Sequence, residues 1–233
     1  MSVPFENSYP NGAAGAAPGR PLAVLFDLDG TLIDSIELIL GSMRHAFTAQ
    51  GAPVPTDEEW LQGVGIPLQT ALARYASTEA QLASLTAAYR AHQMEHHDRL
   101  VRCYDEVADT LSLLHQRGHP LAVVTSKAAP LARRGLEHSG IARFFEVIVG
   151  CDTCSRHKPH PEPVLTALAH LGYEANEAVF VGDSVHDIEA GNAAGVHTIG
   201  ALWGPFTREQ LSVARPDFLL ERISGLPGVL SEL

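Results

Sequence analysis

Residues 22–26 form an unbroken apolar run that stops at Asp27-Leu28-Asp29-Gly30. That is the pattern of a strand buried on both faces and closed by a turn. Residues 121–125, 146–150 and 178–182 repeat it, and 196–200 and 218–220 are shorter candidates. Apolar residues at helical spacing separate most of these runs, over 106–116, 130–138, 163–170 and 187–194. Strand–helix alternation predicts an α/β protein whose parallel sheet carries helices on both faces. Ligands of such sheets bind beyond the carboxyl ends of the strands.

One stretch departs from the alternation. From Ser35 to about Leu100 there is no strand pattern, and the apolar spacing is helical. Ile36, Ile39, Leu40, Met43 and Phe47 fall on one face, Leu68, Leu72 and Tyr75 on a second, and Leu82, Leu85 and Tyr89 on a third. A crossover between parallel strands needs only one helix, so this block predicts an all-helical cap inserted after the first strand. Residues 21–34 and 101–233 then form a Rossmann-like core, and 35–100 the cap. Residues 1–20, rich in Gly, Ala, Pro and Asn, read as a disordered leader without the apolar segment of a secretion signal.

Charge narrows the partners. With a formal net charge of −11 over 233 residues, the molecule repels nucleic acid and anionic membranes at long range. No apolar run approaches the roughly 18–20 residues of a membrane-spanning helix. An anionic substrate would have to be met by a local positive site. The three cysteines cannot all pair with one another, and a cytoplasmic location is expected. A monomer or a homodimer fits equally.

The candidate chemistry sits at strand ends. In Asp27-Leu28-Asp29-Gly30-Thr31 the two carboxylates are two residues apart, so an extended chain points them to one side, and Gly30 permits a sharp turn. Such a pair suits a divalent cation, or a nucleophile beside an acid/base; a solvated acidic loop is the plainer alternative. Thr125-Ser126-Lys127 ends a second run with hydroxyls and a cation, Lys158 precedes a proline-started helix, and Asp183 and Asp187 form another acidic pair.

These motifs, in this order, resemble the haloacid dehalogenase superfamily in its phosphatase branch, from about Pro21 to Phe218. The resemblance implies a Mg²⁺-dependent phosphatase working through an aspartyl-phosphate. Asp27 resembles the nucleophile and a Mg²⁺ ligand. Asp29 resembles the acid/base, its backbone carbonyl on the metal. Thr125 resembles the hydroxyl that orients the phosphoryl group, and Lys158 the lysine that offsets its charge. Asp183 resembles a Mg²⁺ ligand, and Asp187 a carboxylate holding the metal's shell through water. Ser126 and Lys127 join the substrate-binding candidates. Asp34 and Ser35 fall where the family's cap hinge begins, and helix capping is the expected role for both.

Gly63-Val64-Gly65-Ile66-Pro67-Leu68 lies where such caps carry a substrate-facing loop, which adds Gly65 to the substrate-binding candidates. It looks like the loops of phosphoglycolate phosphatase-like enzymes and related pyrophosphatases. The substrate expected is a small phosphorylated metabolite. A pyrophosphatase or a beta-phosphoglucomutase-like phosphomutase is the alternative on the same fold. Asp29 disfavours the namesake dehalogenases. A phosphoaspartate receiver domain is disfavoured because its acidic pair precedes the strand bearing its phosphorylated aspartate, and because this chain is too long for one.

Cys151, Cys154, His157 and His160 recur every third residue, a spacing that invites a zinc reading. Structural zinc sites draw ligand pairs from separate segments, so ordinary loop residues are expected. His92, His96 and His97 read as a solvated helix face, and Trp60 and Trp203 as packing residues.

Overall fold

The computed structural model describes residues 20–233. All but the last residue of the leader therefore lies outside the described residues. The chain enters through β1 (Ala23–Phe26), turns, and leaves through a two-residue strand, β2 (Ile33–Asp34). Four helices follow: α1 (Ile36–Ala49), α2 (Asp57–Leu61), α3 (Leu68–Ala73) and α4 (Glu79–Leu100). The return is β3 (Arg102–Cys103), which pairs antiparallel with β2, Ile33 opposite Cys103 and Asp34 opposite Arg102. This ribbon was not foreseen, since two residues are too few to show a period of two.

Strands and helices then alternate: α5 (Val107–Gln116), β4 (Leu121–Val124), α6 (Ala129–His138) and β5 (Val147–Val149). After them come α7 (Glu162–Leu171), β6 (Ala178–Gly182), α8 (Val185–Ala194) and β7 (His197–Ala201). The last elements are α9 (Arg208–Ser212), β8 (Phe218–Leu220) and α10 (Leu226–Val229). Every large-sheet strand anticipated from the pattern is present, shifted at its ends by two residues or fewer.

The sheet order is β5-β4-β1-β6-β7-β8, and every pairing is parallel. The order runs one way from β1 through β4 and the other way from β6, so the switch point lies between β1 and β6. Crossovers leave the sheet on opposite faces there and open a crevice at the carboxyl ends of the two strands. Asp27 follows β1 and Asp183 follows β6, and the Asp27 N–H donates to the Val181 carbonyl at 2.9 Å. The fold itself places both carboxylates at the crevice.

Both faces of the sheet are covered. Val24, Phe26, Val123, Val179, Val181 and Ile199 point to one apolar layer with α5 and α6; Leu25, Val124, Phe180, Val164 and Leu168 pack in the other with α7 and α8. Burying a Leu, Val or Phe contributes about 1.5–3 kcal/mol each, which explains strands apolar on both faces. The four helices after β2 have a separate core of Ile39, Met43, Phe47, Trp60, Leu72, Leu85 and Tyr89. Trp60 is buried there with its ring 6.2 Å from that of Phe47, in the packing role expected of it. Trp203 is half-buried and donates from Nε1 to the Thr31 carbonyl at 2.9 Å.

Two sequence readings are corrected. His97 is not on a solvated face; it is 4% exposed, bonded through Nδ1 to Asp98 Oδ1 at 2.7 Å. Its position near the end of α4 turns it toward Gly135 on α6, away from the solvent that His92 and His96 partly reach. Ser35 stands at the N-cap of α1, yet its hydroxyl makes no capping bond; it donates to Asp29 Oδ1 at 2.5 Å. Asp34 does serve the helix start, accepting from the Ile36 N–H at 3.3 Å.

Candidate active site

Asp27 is nearly dry, 4% exposed, because β1 is the central strand and both neighbours cover its end. Lys158 reaches it from the loop before α7: its Nζ donates to Asp27 Oδ1 at 2.6 Å and to Asp187 Oδ1 at 2.5 Å. A third bond runs to the Val124 carbonyl at 3.3 Å. Burial raises the Asp27 carboxyl to about 7, with Lys158 opposing and Asp187 adding to the rise. Lys158 is itself buried, which favours its neutral form, but Asp187 and Asp27 outweigh that and hold it charged.

Asp187 is fixed by a capping box at the start of α8. The Ser184 backbone and hydroxyl donate to its Oδ2 at 3.0 and 2.6 Å, while Ser184 Oγ accepts from the Asp187 N–H. Asp183, the residue before Ser184, accepts at Oδ1 from the Thr31 hydroxyl at 2.8 Å. Its other oxygen, Oδ2, is buried without a hydrogen-bond partner. Gly30 and Gly204 close around this carboxylate. A side chain at Gly30, φ +92°, would meet Asp183 Oδ2 at 2.3 Å, and one at Gly204 would meet its Cβ at 2.5 Å.

Asp27, Asp183 and Asp187 therefore form one buried group with ligand oxygens within 4.8 Å of one another. Three carboxylates this close repel, and burial with the neighbouring Asp27 and Asp187 charges pushes Asp183 well above the usual carboxylate range. Lys158 alone does not balance them. The unpartnered Asp183 oxygen and the all-oxygen donor set fit a hard divalent cation.

Asp29 stands outside this triad and lines the cleft. Lys127 Nζ donates to its Oδ1 at 2.6 Å, alongside Ser35, and no bond to Oδ2 is present among the described residues. Thr125 is buried at the end of β4, and its Oγ1 accepts from the Lys127 N–H at 3.2 Å. Ser126 Oγ donates to the Gly65 carbonyl at 2.6 Å. The loop before α3 thus rests directly on the sheet's carboxyl edge. The structure brings all the sequence candidates to one place, with Lys127 held by Asp29 and Ser126 by Gly65.

Above Asp27 and Asp29 opens a cavity of about 260 Å³, roofed by the helical segment. Ile66, Pro67, Trp60, Tyr89, Arg90 and Gln93 contribute from that segment; Thr125, Lys127, Cys151 and His157 contribute from the sheet side. Sequence reasoning missed Thr31, Ser35, Ser184, Arg90 and His157 as site residues. The Ser184-to-Asp187 spacing is a legible capping pattern, whereas nothing local marks Arg90. The Cys/His quartet does not converge. Cys151 and His157 face the cavity, Cys154 meets Thr166 at 3.5 Å, and His160 meets Arg156 at 2.9 Å.

A sequence model of haloacid dehalogenase-like hydrolases matches residues 24–201. The chain belongs to that family, and it is a hydrolase. Pyrophosphatase PpaX of Bacillus pumilus is 41% identical over 208 residues, covering 89% of this chain and 95% of that protein. The Bacillus velezensis enzyme of the same name is 39% identical with the same coverage. A predicted phosphatase from Clostridium acetobutylicum superposes with a TM-score of 0.80 at 28% identity, over 91% of this chain and 99% of that one. A predicted phosphoglycolate phosphatase from Haemophilus somnus gives 0.82 at 25%, with the same coverage. The family resemblance drawn from the motifs is thus correct. No helix among the described residues is long and apolar enough to cross a membrane.

Proposed function

We propose that this enzyme hydrolyses a small phosphorylated compound through a phosphoryl group carried on Asp27, with Mg²⁺ held by Asp27, Asp183 and Asp187. The observation that carries the reading is the pairing of a buried carboxylate at the switch point with Lys158 and two further carboxylates, beside a cavity lined by the helical segment. A divalent cation there would offset the carboxylate charge and polarise a phosphoryl oxygen.

The chain's own residues supply the remaining steps. An Asp27 oxygen attacks phosphorus while the bond to the leaving oxygen breaks, and Asp29 hands that oxygen a proton. Water then attacks the same phosphorus, Asp29 takes its proton, and the Asp27–phosphorus bond breaks to release phosphate. Lys158 and Thr125 donate to the phosphoryl oxygens whose charge develops in the transition state. We take residues 35–100 as the cap that closes over the leaving part and excludes water.

Inorganic pyrophosphate is the substrate we favour, because relatives at 41% and 39% identity are named pyrophosphatases. The phosphoglycolate reading draws on a solved structure at 25% identity, a weaker likeness than that of the pyrophosphatases. The test is phosphate release from pyrophosphate, phosphoglycolate and sugar phosphates, with Mg²⁺ and with chelator, for wild type and Asp27→Asn. Mg²⁺-dependent release that is highest with pyrophosphate and lost in a folded Asp27→Asn protein is expected. Release that persists in that variant would sink the covalent mechanism.

A further inference from the structure

We propose that Arg90 is the specificity residue of this site, receiving a second negative charge carried by the part of the substrate that leaves. The inference rests on the phosphohydrolase reading and goes beyond it, since it concerns a residue of the helical segment and not the phosphoryl centre.

Among the described residues, the only acidic side chains lining the cavity are Asp27 and Asp29, both at its floor. Those two are already engaged, Asp27 by Lys158 and Asp29 by Lys127. Away from the floor the wall carries Arg90 and His157 as basic groups, with Gln69, Thr70 and Gln93 as neutral polar ones. No carboxylate opposes Arg90: among the described residues it makes no ion pair and no side-chain hydrogen bond, unlike Arg44, Arg134, Arg208 and Arg222.

Position strengthens the case. Arg90 follows the buried Tyr89 on α4, so the helical core fixes the backbone from which it projects. Cys151 lines the same cavity from the sheet side, and its thiol is pushed up by burial and by Asp152 while Arg90 pulls it back. The guanidinium therefore acts on the wall contributed by the sheet. In a molecule of net charge −11, a dianionic substrate is repelled at long range. A guanidinium on the helical wall of a cavity with an acidic floor offsets that locally and matches a carboxylate or phosphate in fork geometry. A neutral sugar or alcohol would leave it unused.

Two leaving groups share this chemistry, a second phosphate and a carboxylate, and the experiment separates them. Wild type, Arg90→Ala and Arg90→Lys are compared on pyrophosphate, 2-phosphoglycolate and p-nitrophenyl phosphate with Mg²⁺. Binding of methylenediphosphonate and of methylphosphonate is measured by calorimetry on the same proteins. Arg90→Ala should lower the kcat/KM ratio of an anionic-leaving substrate to the aryl phosphate by about 10- to 100-fold, as for a lost charged hydrogen bond. The change should lie mainly in KM and shrink in high salt, and Arg90→Lys should recover part of it. Methylenediphosphonate binding should weaken by a similar factor, methylphosphonate binding by much less. Whichever of pyrophosphate and phosphoglycolate shows the larger ratio change identifies the anion received.

Parallel losses on all three substrates, or diphosphonate binding that Arg90→Ala leaves intact, overturn the proposal. Should wild type turn over none of the substrates, the phosphohydrolase reading fails on its own. The ratio of diphosphonate to phosphonate binding then still decides Arg90.

Discussion

Ser126 Oγ donates to the carbonyl of Gly65 at 2.6 Å, and this bond joins the end of β4 to the loop before α3. Gly65 can sit so close only as glycine. Its φ is +98°, and a Cβ there would lie 2.7 Å from Ser184 Oγ and 3.2 Å from the His186 ring. Ser184 in turn caps the helix that holds Asp187. The loop over the cavity is thus bonded to the sheet edge at Ser126 and leaves no room for a side chain beside Ser184.

Gly65→Ala should accordingly do more harm than its size suggests. The left-handed backbone costs about 1–2 kcal/mol for an L side chain, before any contact is counted. The loop must also back away from Ser184. We expect kcat/KM to fall for every substrate and Tm to drop by roughly 2–4 °C per kcal/mol lost. Ser126→Ala, losing one hydrogen bond worth about 1 kcal/mol, should raise amide exchange in residues 62–67 with a smaller drop in Tm. An unchanged exchange pattern in Ser126→Ala would show that the contact does not hold the loop.

Both hydrogen bonds to Asp29, from Lys127 and Ser35, fall on Oδ1, and in the mechanism we propose this carboxyl exchanges a proton with the leaving oxygen. Asp29→Asn should slow turnover by about 10²–10⁴-fold for substrates that leave as poor anions. The loss should be smaller for aryl phosphates with acidic phenols, which need less protonation. A Brønsted plot across phenols of differing acidity checks this. A slope identical in wild type and variant would remove Asp29 from the acid role.

Asp183→Asn separates metal binding from folding. The amide keeps an oxygen for the Thr31 hydroxyl but removes one of three mutually repelling buried charges. Without metal the variant should therefore be at least as stable as wild type. Added Mg²⁺ should raise the wild-type Tm through binding to the folded state, and raise that of the variant far less. Calorimetry in chelator and in Mg²⁺ measures both. Equal Mg²⁺ stabilisation of the two proteins would move the metal elsewhere.

The fold was legible because its strands are apolar on both faces and end in residues that cannot stay in a strand. Asp27 and Asp183 could be placed at one edge because each follows an apolar run and the strands of a parallel sheet end on the same side, whereas the sheet order that makes β1 and β6 neighbours was not legible. Ser35 could not be read in this way. Its type and position suit a helix cap, and only the turn after β1, which brings Asp29 beside it, redirects the hydroxyl. Arg90 was equally hidden, because helical spacing says which residues face the small core but not what roof they make over another segment. The ribbon of β2 and β3 was too short for any period. What the sequence lacked in each case was a contact between segments remote in the chain.

His97 carries the last prediction, because it is a buried imidazole whose burial has a defined sign. It lies near the end of α4 against α6, with Nε2 buried and unpartnered and Nδ1 on Asp98. The groups facing it include Asp98, Arg134, Lys127 and the His138 ring, 5.9 Å away. Burial lowers its pKa below the usual 6.5, with Asp98 opposing that fall and the Lys127 and Arg134 charges assisting it. The unfolded chain therefore binds more protons here than the folded one. The stability this group confers is present above the unfolded pKa and is lost as pH falls through the lower, folded value. Wild type should lose stability from about pH 7 downward more steeply than His97→Gln, which has no proton to gain. Comparing the two by urea unfolding at several pH values isolates the effect from titrations common to both. Parallel stability curves from pH 7 to pH 5 would mean that His97 titrates as it does in the unfolded chain. Burial would then not be what sets its charge.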